Sequence, residues 1–170
     1  MTRLRVSFVG PLVSFQDAGR PGNMRFGVPA SGPMDRLAHA AANLAVGNEP
    51  GATAIEISLG GLVVDGMEGS VTVAVAGGTF HVELNGTLVP AWSAVTLGDG
   101  DRLAIGPGPQ GSWAYLAVAG RLDVPSWLGH AATHSMSGLG GGSLTSGREY
   151  LVADARVVHD REGRIPIPES

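Results

Sequence analysis

"VTVAVAGGTFHVELNGTLVPAWSAVTLGDGDRLAIG", residues 71–106, decides the fold. Val71, Val73 and Val75 alternate with smaller or polar residues, and Phe80, Val82 and Leu84 repeat the pattern; a period of two puts each set on one face of a strand. Asn85-Gly86 follows at once, the dipeptide of a type I′ hairpin turn, in which both central residues take positive φ. Val89, "AVTL" at 94–97 and "RLAIG" at 102–106 continue the series, with "GDGD" at 98–101 as a tight turn.

The same period runs outward from this stretch. Leu4, Val6 and Phe8 alternate with Arg3, Arg5 and Ser7, and Ile55, Ile57 and Leu59 alternate with Ala54, Glu56 and Ser58. "WAYLAVAG" at 113–120 is apolar throughout, which predicts a strand buried on both faces or set against a closed core, and "EYLVADARVV" at 149–158 predicts one more. Many short strands with glycine-rich turns predict a mainly β domain, an antiparallel barrel, over residues 1–158. One helix interrupts them. Pro33 suits a first helical turn, Met34, Leu37, Ala38, Ala41, Leu44 and Ala45 fall on one face, and Gly47 supplies the stop. This helix is expected over one end of the barrel, and "VPSWLGHA" at 124–131 admits a second short helical turn. The charged, proline-punctuated tail at 159–170 reads as a linker.

Composition narrows the chemistry. A chain of 170 residues can bury roughly 70% of its unfolded surface without staples, and it has no cysteine. That excludes thiol nucleophiles, thiolate metal sites and disulfides. All eleven basic side chains are arginines, so no Schiff-base or phosphate-loop lysine exists. A net charge of −4 argues against a nucleic-acid surface. Gly10 and Pro11 break the apolar start, and no segment is long enough to span a bilayer, so a cytoplasmic protein without membrane contact is expected.

Few residues remain for chemistry. "GLGGGSLTSG" at 138–147 lacks the lysine of a phosphate loop and the spacing of a dinucleotide fingerprint, and reads as a mobile surface loop. "HAATH" at 130–134 spaces two histidines four apart but lacks the metalloprotease glutamate, so no metal is expected. "QDAGRPG" at 16–22 is different, because Gly19 and Gly22 permit unusual backbone angles and Pro21 stiffens the segment. Arg20 offers a planar fork for a carboxylate or phosphate, Asp17 can accept a proton or orient that fork, and Gln16 can bind an amide edge. Equally, Asp17 and Arg20 can pair and brace the loop. Asp35 suits the helix start and Asn48 the helix stop. Glu56 points away from Ile55 and Ile57, and matters if its face lies under a cleft or partner.

"FQDAGRPG", "GPMDRLAHAAANLAVGN", "AIEISLGG", "VAVAGG" and "AYLAVAGRLDVPSWLG" resemble, in this order and spacing over residues 4–158, allophanate hydrolase subunit 2. That family is also known as the C-type subunit of 5-oxoprolinase, as the Kip-inhibitor antagonist and as a biotin-dependent carboxyltransferase family. The resemblance implies a cyclophilin-like β-barrel and a partner similar to allophanate hydrolase subunit 1, of the KipI type. It also implies cleavage of a C–N bond in 5-oxoproline, with ATP as co-substrate, or in allophanate, and no tightly bound cofactor. Alternatives are carboxyl transfer from biotin to a urea-like acceptor, and a non-catalytic module that antagonises a KipI-like regulator. Asp17, Arg20 and Glu56 would then be catalytic, and Gln16, Asn43, Asn48 and Asp35 would bind substrate. Family members usually continue into a second half, so the resemblance covers the N-terminal half, with a separate chain as one source of the other.

Overall fold

The computed structural model describes residues 1–168; Glu169 and Ser170, at the end of the expected linker, lie outside the described residues. Along the chain run β1 (Thr2–Val9), β2 (Ser14–Gln16), α1 (Arg36–Ala45), β3 (Ala54–Ser58), β4 (Leu62–Met67), β5 (Val71–Ala76) and β6 (His81–Leu84). Then follow β7 (Thr87–Val89), β8 (Ser93–Leu97), β9 (Arg102–Gly106), β10 (Trp113–Val118), β11 (Arg121–Leu122), β12 (Glu149–Ala153) and β13 (Gly163–Arg164). They form two antiparallel sheets, ordered β11-β12-β1-β4-β9-β6-β7 and β13-β8-β5-β10-β3-β2. One continuous apolar core, including Leu4, Val6, Ile55, Ile57, Val73, Leu103 and Leu116, fills the space between them. No helix among the described residues is long and apolar enough to cross a membrane.

The period-two reading places most of these strands. Asn85 and Gly86 have φ of 52° and 79°, as a type I′ turn requires, and the flanking Leu84 and Thr87 pair directly. Helix α1 lies against β10, β5 and β3. These strands therefore have the core on one face and the helix with its entry segment on the other, which is why β3, β5 and most of β10 are buried at every position.

Several expectations change. Phe8 is exposed because the β1–β4 register shifts between Val6 and Phe8, and such a bulge reverses which side chains face the core. Leu59 lies beyond the end of β3 and is exposed as well. Pro33 precedes the helix, which starts after Asp35; Gly47 at φ 78° ends it as expected.

The buried face of α1 consists of Ala38, His39, Ala42 and Asn43, whereas Leu37 and Leu44 are exposed. Small alanines let the helix approach the sheet closely. The polar pair turns inward because backbone carbonyls there need donors: His39 Nε2 lies 3.2 Å from the Gln16 carbonyl, and Asn43 Nδ2 donates to Ala52 at 2.9 Å.

No helical turn forms at 124–131, where Trp127 and His130 instead make an isolated bridge. The tail is only partly a linker, since Gly163 and Arg164 pair with Ala94 and Ser93 of β8 and Ile165 is buried. The glycine-rich segment 138–147 is tied down: Gly141 donates to Ala131, Gly142 to Thr133 Oγ1 and Leu144 to Val13.

Candidate functional site

Three neighbouring strands set the floor of the site. Ser14 on β2 pairs with Glu56 on β3, and Glu56 pairs with Tyr115 on β10. All three side chains stand on the face away from Ile55 and Ile57. A cleft of about 370 Å³ opens above this row, lined among others by Ser14, Gln16, Ser31, Met34, Glu56, Thr133 and His134. Glu56 thus points outward from the core, as its alternation implies, and that outward face does lie under a cleft.

The carboxylate is held from one side only. Glu56 Oε2 accepts hydrogen bonds from the Met34 N–H and the Tyr115 hydroxyl, each at 2.8 Å, and that hydroxyl accepts one from the Asp35 N–H, also at 2.8 Å. Oε1 accepts none among the described residues and is left to the cleft. Burial raises the Glu56 pKa above the usual carboxylate range, and the bonds from Met34 and Tyr115 only partly oppose it. Burial also raises the Tyr115 pKa, so the phenol keeps its proton and acts as a donor. His39, stacked edge-on to Tyr115 at 5.5 Å, has its pKa lowered by burial and is neutral at pH 7. A carboxyl of this kind in a cleft can exchange a proton with a ligand.

The opening loop does something else. Gln16, Asp17 and Arg20 are all buried, Arg20 to 1% exposure. Asp17 and Arg20 do not pair. Asp17 Oδ1 accepts from the Gly19 N–H at 2.9 Å and Oδ2 from the Ala131 N–H at 2.7 Å, with His130 Nδ1 at 3.5 Å. Arg20 donates from Nη1 to Ser31 Oγ at 3.2 Å and from Nη2 to the Ala132 carbonyl, beneath the Trp127 ring at 5.0 Å. Gln16 donates to Ser14 Oγ at 3.1 Å and the Thr133 carbonyl at 3.2 Å, and its Oε1 accepts from the Gly32 N–H at 3.2 Å. These side chains fasten the two loops that wall the cleft, 29–34 and 130–136. Gln16 lines the cleft; Asp17 and Arg20 stand behind it.

Other candidates are scattered. Asp35 caps α1, accepting from the Ala38 N–H at 3.0 Å. Asn43 donates to Ala52 in the turn before β3, and Asn48 donates to the Val118 carbonyl of β10 at 2.7 Å, so both tie down the helix end and neither lines the cleft. Sequence reasoning missed Tyr115 and Ser14, along with the wall residues Ser31 and Thr133, and weighed His134 only as a metal ligand. Tyr115 carried a usable signal, because a hydroxyl inside an otherwise apolar strand must find a buried partner. Among the described residues no group of His, Asp and Glu side chains is arranged to hold a metal ion.

Comparison with known proteins fits this architecture. The family described as carboxyltransferase domain, subdomain A and B, matches residues 26–163. The urea amidolyase of Saccharomyces cerevisiae is 37% identical over 141 residues, covering 82% of this chain and 8% of that enzyme. The C-type subunit of 5-oxoprolinase from Escherichia coli is 35% identical over 138 residues, covering 81% of this chain and 44% of that protein. The crystal structure of TTHA0988 superposes with a TM-score of 0.89 at 30% identity, covering 100% of this chain and 34% of that one. The chain thus spans less than half the length of each of these three relatives. A match across most of the chain, together with the shared fold, shows that it belongs to the carboxyltransferase domain family, subdomain A and B.

Proposed function

We propose that this chain supplies the proton-transfer group of a C–N hydrolase, opening 5-oxoproline with ATP, or cleaving allophanate, together with a subunit 1 homologue of the KipI type. One observation carries the reading: Glu56, with its pKa raised by burial, presents to a cleft of about 370 Å³ an oxygen that has no partner among the described residues, and that volume suits a small ligand. A lactam carbonyl is a poor electrophile, and phosphoryl transfer from ATP to its oxygen makes the carbon attackable. Water then adds to that carbon, the C–N bond breaks as the departing nitrogen takes a proton, and a second water releases inorganic phosphate from the resulting acyl phosphate to leave the carboxylate. Glu56 serves this sequence by accepting the proton of the water and returning one to the nitrogen. Arg20, with its fork turned into the protein, holds the cleft wall.

A second reading is favoured by the 37% identity to a urea amidolyase: carboxyl transfer from carboxybiotin to a urea-like acceptor. There the acceptor nitrogen forms its bond to the carboxyl carbon as the bond from that carbon to the biotin nitrogen breaks, and Glu56 takes the proton released by the acceptor and returns it to the biotin nitrogen. Biotin arrives on a separate carrier, as a substrate. The test reconstitutes this chain with a subunit 1 homologue and a second half, and follows ATP-dependent 5-oxoproline consumption. Glu56→Gln should lower turnover by about 10²–10⁴-fold while the complex still assembles. Full turnover in that variant refutes the assignment. Urea-dependent carboxyl transfer in place of 5-oxoproline consumption, once biotin carboxylase and carrier are added, selects the second reading.

A further inference from the structure

Glu56 has two oxygens, and its surroundings treat them differently. Oε2 receives both donors, the Met34 N–H and the Tyr115 hydroxyl, whereas Oε1 receives none among the described residues. Tyr115 is fully buried, and its own acceptor capacity is met by the Asp35 N–H. The phenol therefore cannot rotate its hydrogen elsewhere without losing a bond, and a carboxyl proton on Oε2 would displace one of the two donors.

We infer that Tyr115 is a positioning residue that fixes Glu56 so that the proton is gained and lost at Oε1, the oxygen turned to the cleft. This rests on the reading of Glu56 as the proton-transfer group. The hydrogen-bond chain runs from the Asp35 amide through the phenol to the carboxylate, so the segment that starts α1 and the cleft floor are set by the same hydroxyl. Other ionisable groups around it are Asp35 and His39 from the helix side and His134 across the cleft. Asp35 is occupied as the helix cap, and His39 meets the Tyr115 ring edge-on. Neither makes a hydrogen bond to the Glu56 carboxylate, which leaves Tyr115 as its one side-chain donor among the described residues.

The experiment reads Glu56 directly, by carboxyl carbon NMR across a pH titration of the folded chain. Tyr115→Phe keeps the ring and removes one donor to the charged form, so the Glu56 midpoint should rise by about one unit. A residue that only fills space would cost stability and leave the midpoint where it was, and that result overturns the inference. In the wild-type protein, the Cζ resonance of Tyr115 should move with the same midpoint as Glu56, which requires no variant to fold. A Cζ signal indifferent to Glu56 ionisation overturns the inference equally. Because both readouts use the protein without substrate, turnover that survives Glu56→Gln defeats the functional reading alone, and an unmoved titration defeats this one alone.

Discussion

Arg20→Lys separates a wall-fastening guanidinium from a ligand-binding one. In the native protein the fork reaches two partners in different loops, Ser31 Oγ and the Ala132 carbonyl, while Trp127 covers its face. An ammonium is a single point and cannot span both, so one charge-assisted bond is lost, a contribution of about 1.5–3 kcal/mol. Weaker stacking on the indole removes a further ~0.5–1 kcal/mol. The sum is about 2–4 kcal/mol, and at ~2–4 °C per kcal/mol for a chain of this size the melting temperature should fall by about 4–16 °C. Calorimetry measures this, and amide exchange locates it: protection should drop at Thr133 and Gly141, whose N–H groups bond to Phe15 and Ala131 across the fastened loop. A variant melting within about 2 °C of wild type, with unchanged exchange at those amides, would refute the wall-fastening role.

Two further outcomes test the site and the packing of the opposite sheet. Burial makes folded Glu56 hold its proton more tightly than the unfolded chain does. Its contribution to stability is therefore fully present below the unfolded value of about 4.3 and is lost as pH rises through the raised folded value; the wild-type minus Glu56→Gln stability difference, from urea midpoints, should decline across that window and then level off. Parallel curves would contradict it. Gly66 in β4 approaches the Gly98 carbonyl so closely that a Cβ would collide with it, and Gly66→Ala should cost about 1–3 kcal/mol by chemical denaturation, with no change meaning that the 98–101 turn yields freely.

The strands were legible wherever alternation was clean, as in Val71 to Val75 and Phe80 to Leu84. They were not where a local feature broke the period. The bulge after Val6 exposes Phe8, and β4 hides behind Asp65 and Gly66, residue types that are rare in strands. The helix misled for a different reason: Met34, Leu37 and Leu44 were read onto its buried face with Ala38, Ala41 and Ala45, yet close packing favoured alanines, and two polar side chains had carbonyls to satisfy. Glu56 was visible as a charge inside an apolar alternation. Its surroundings were not, because the cleft walls come from residues 29–34 and 130–136, and no spacing rule joins Gln16 to Thr133 across 117 positions.

An acid, an amide and a guanidinium stand together at Gln16, Asp17 and Arg20 because of what residues 131–133 need. These residues run over the sheet at the side of the cleft, and their inward backbone groups must be met by side chains or left unpaired at about 1–3 kcal/mol each. The Ala131 N–H requires an acceptor and receives Asp17; the Ala132 carbonyl requires a donor and receives Arg20; the Thr133 carbonyl receives the Gln16 amide, whose oxygen remains to take the Gly32 N–H of the opposite wall. Each chemical type matches the polarity of the group it serves, and the amide serves as donor and acceptor at once. The trio accordingly sets the spacing of the two walls, and through them the volume above Ser14, Glu56 and Tyr115. With the walls held from behind, Glu56 is the one carboxylate of the cleft with an oxygen still uncommitted among the described residues, and the chemistry of the site is drawn to it.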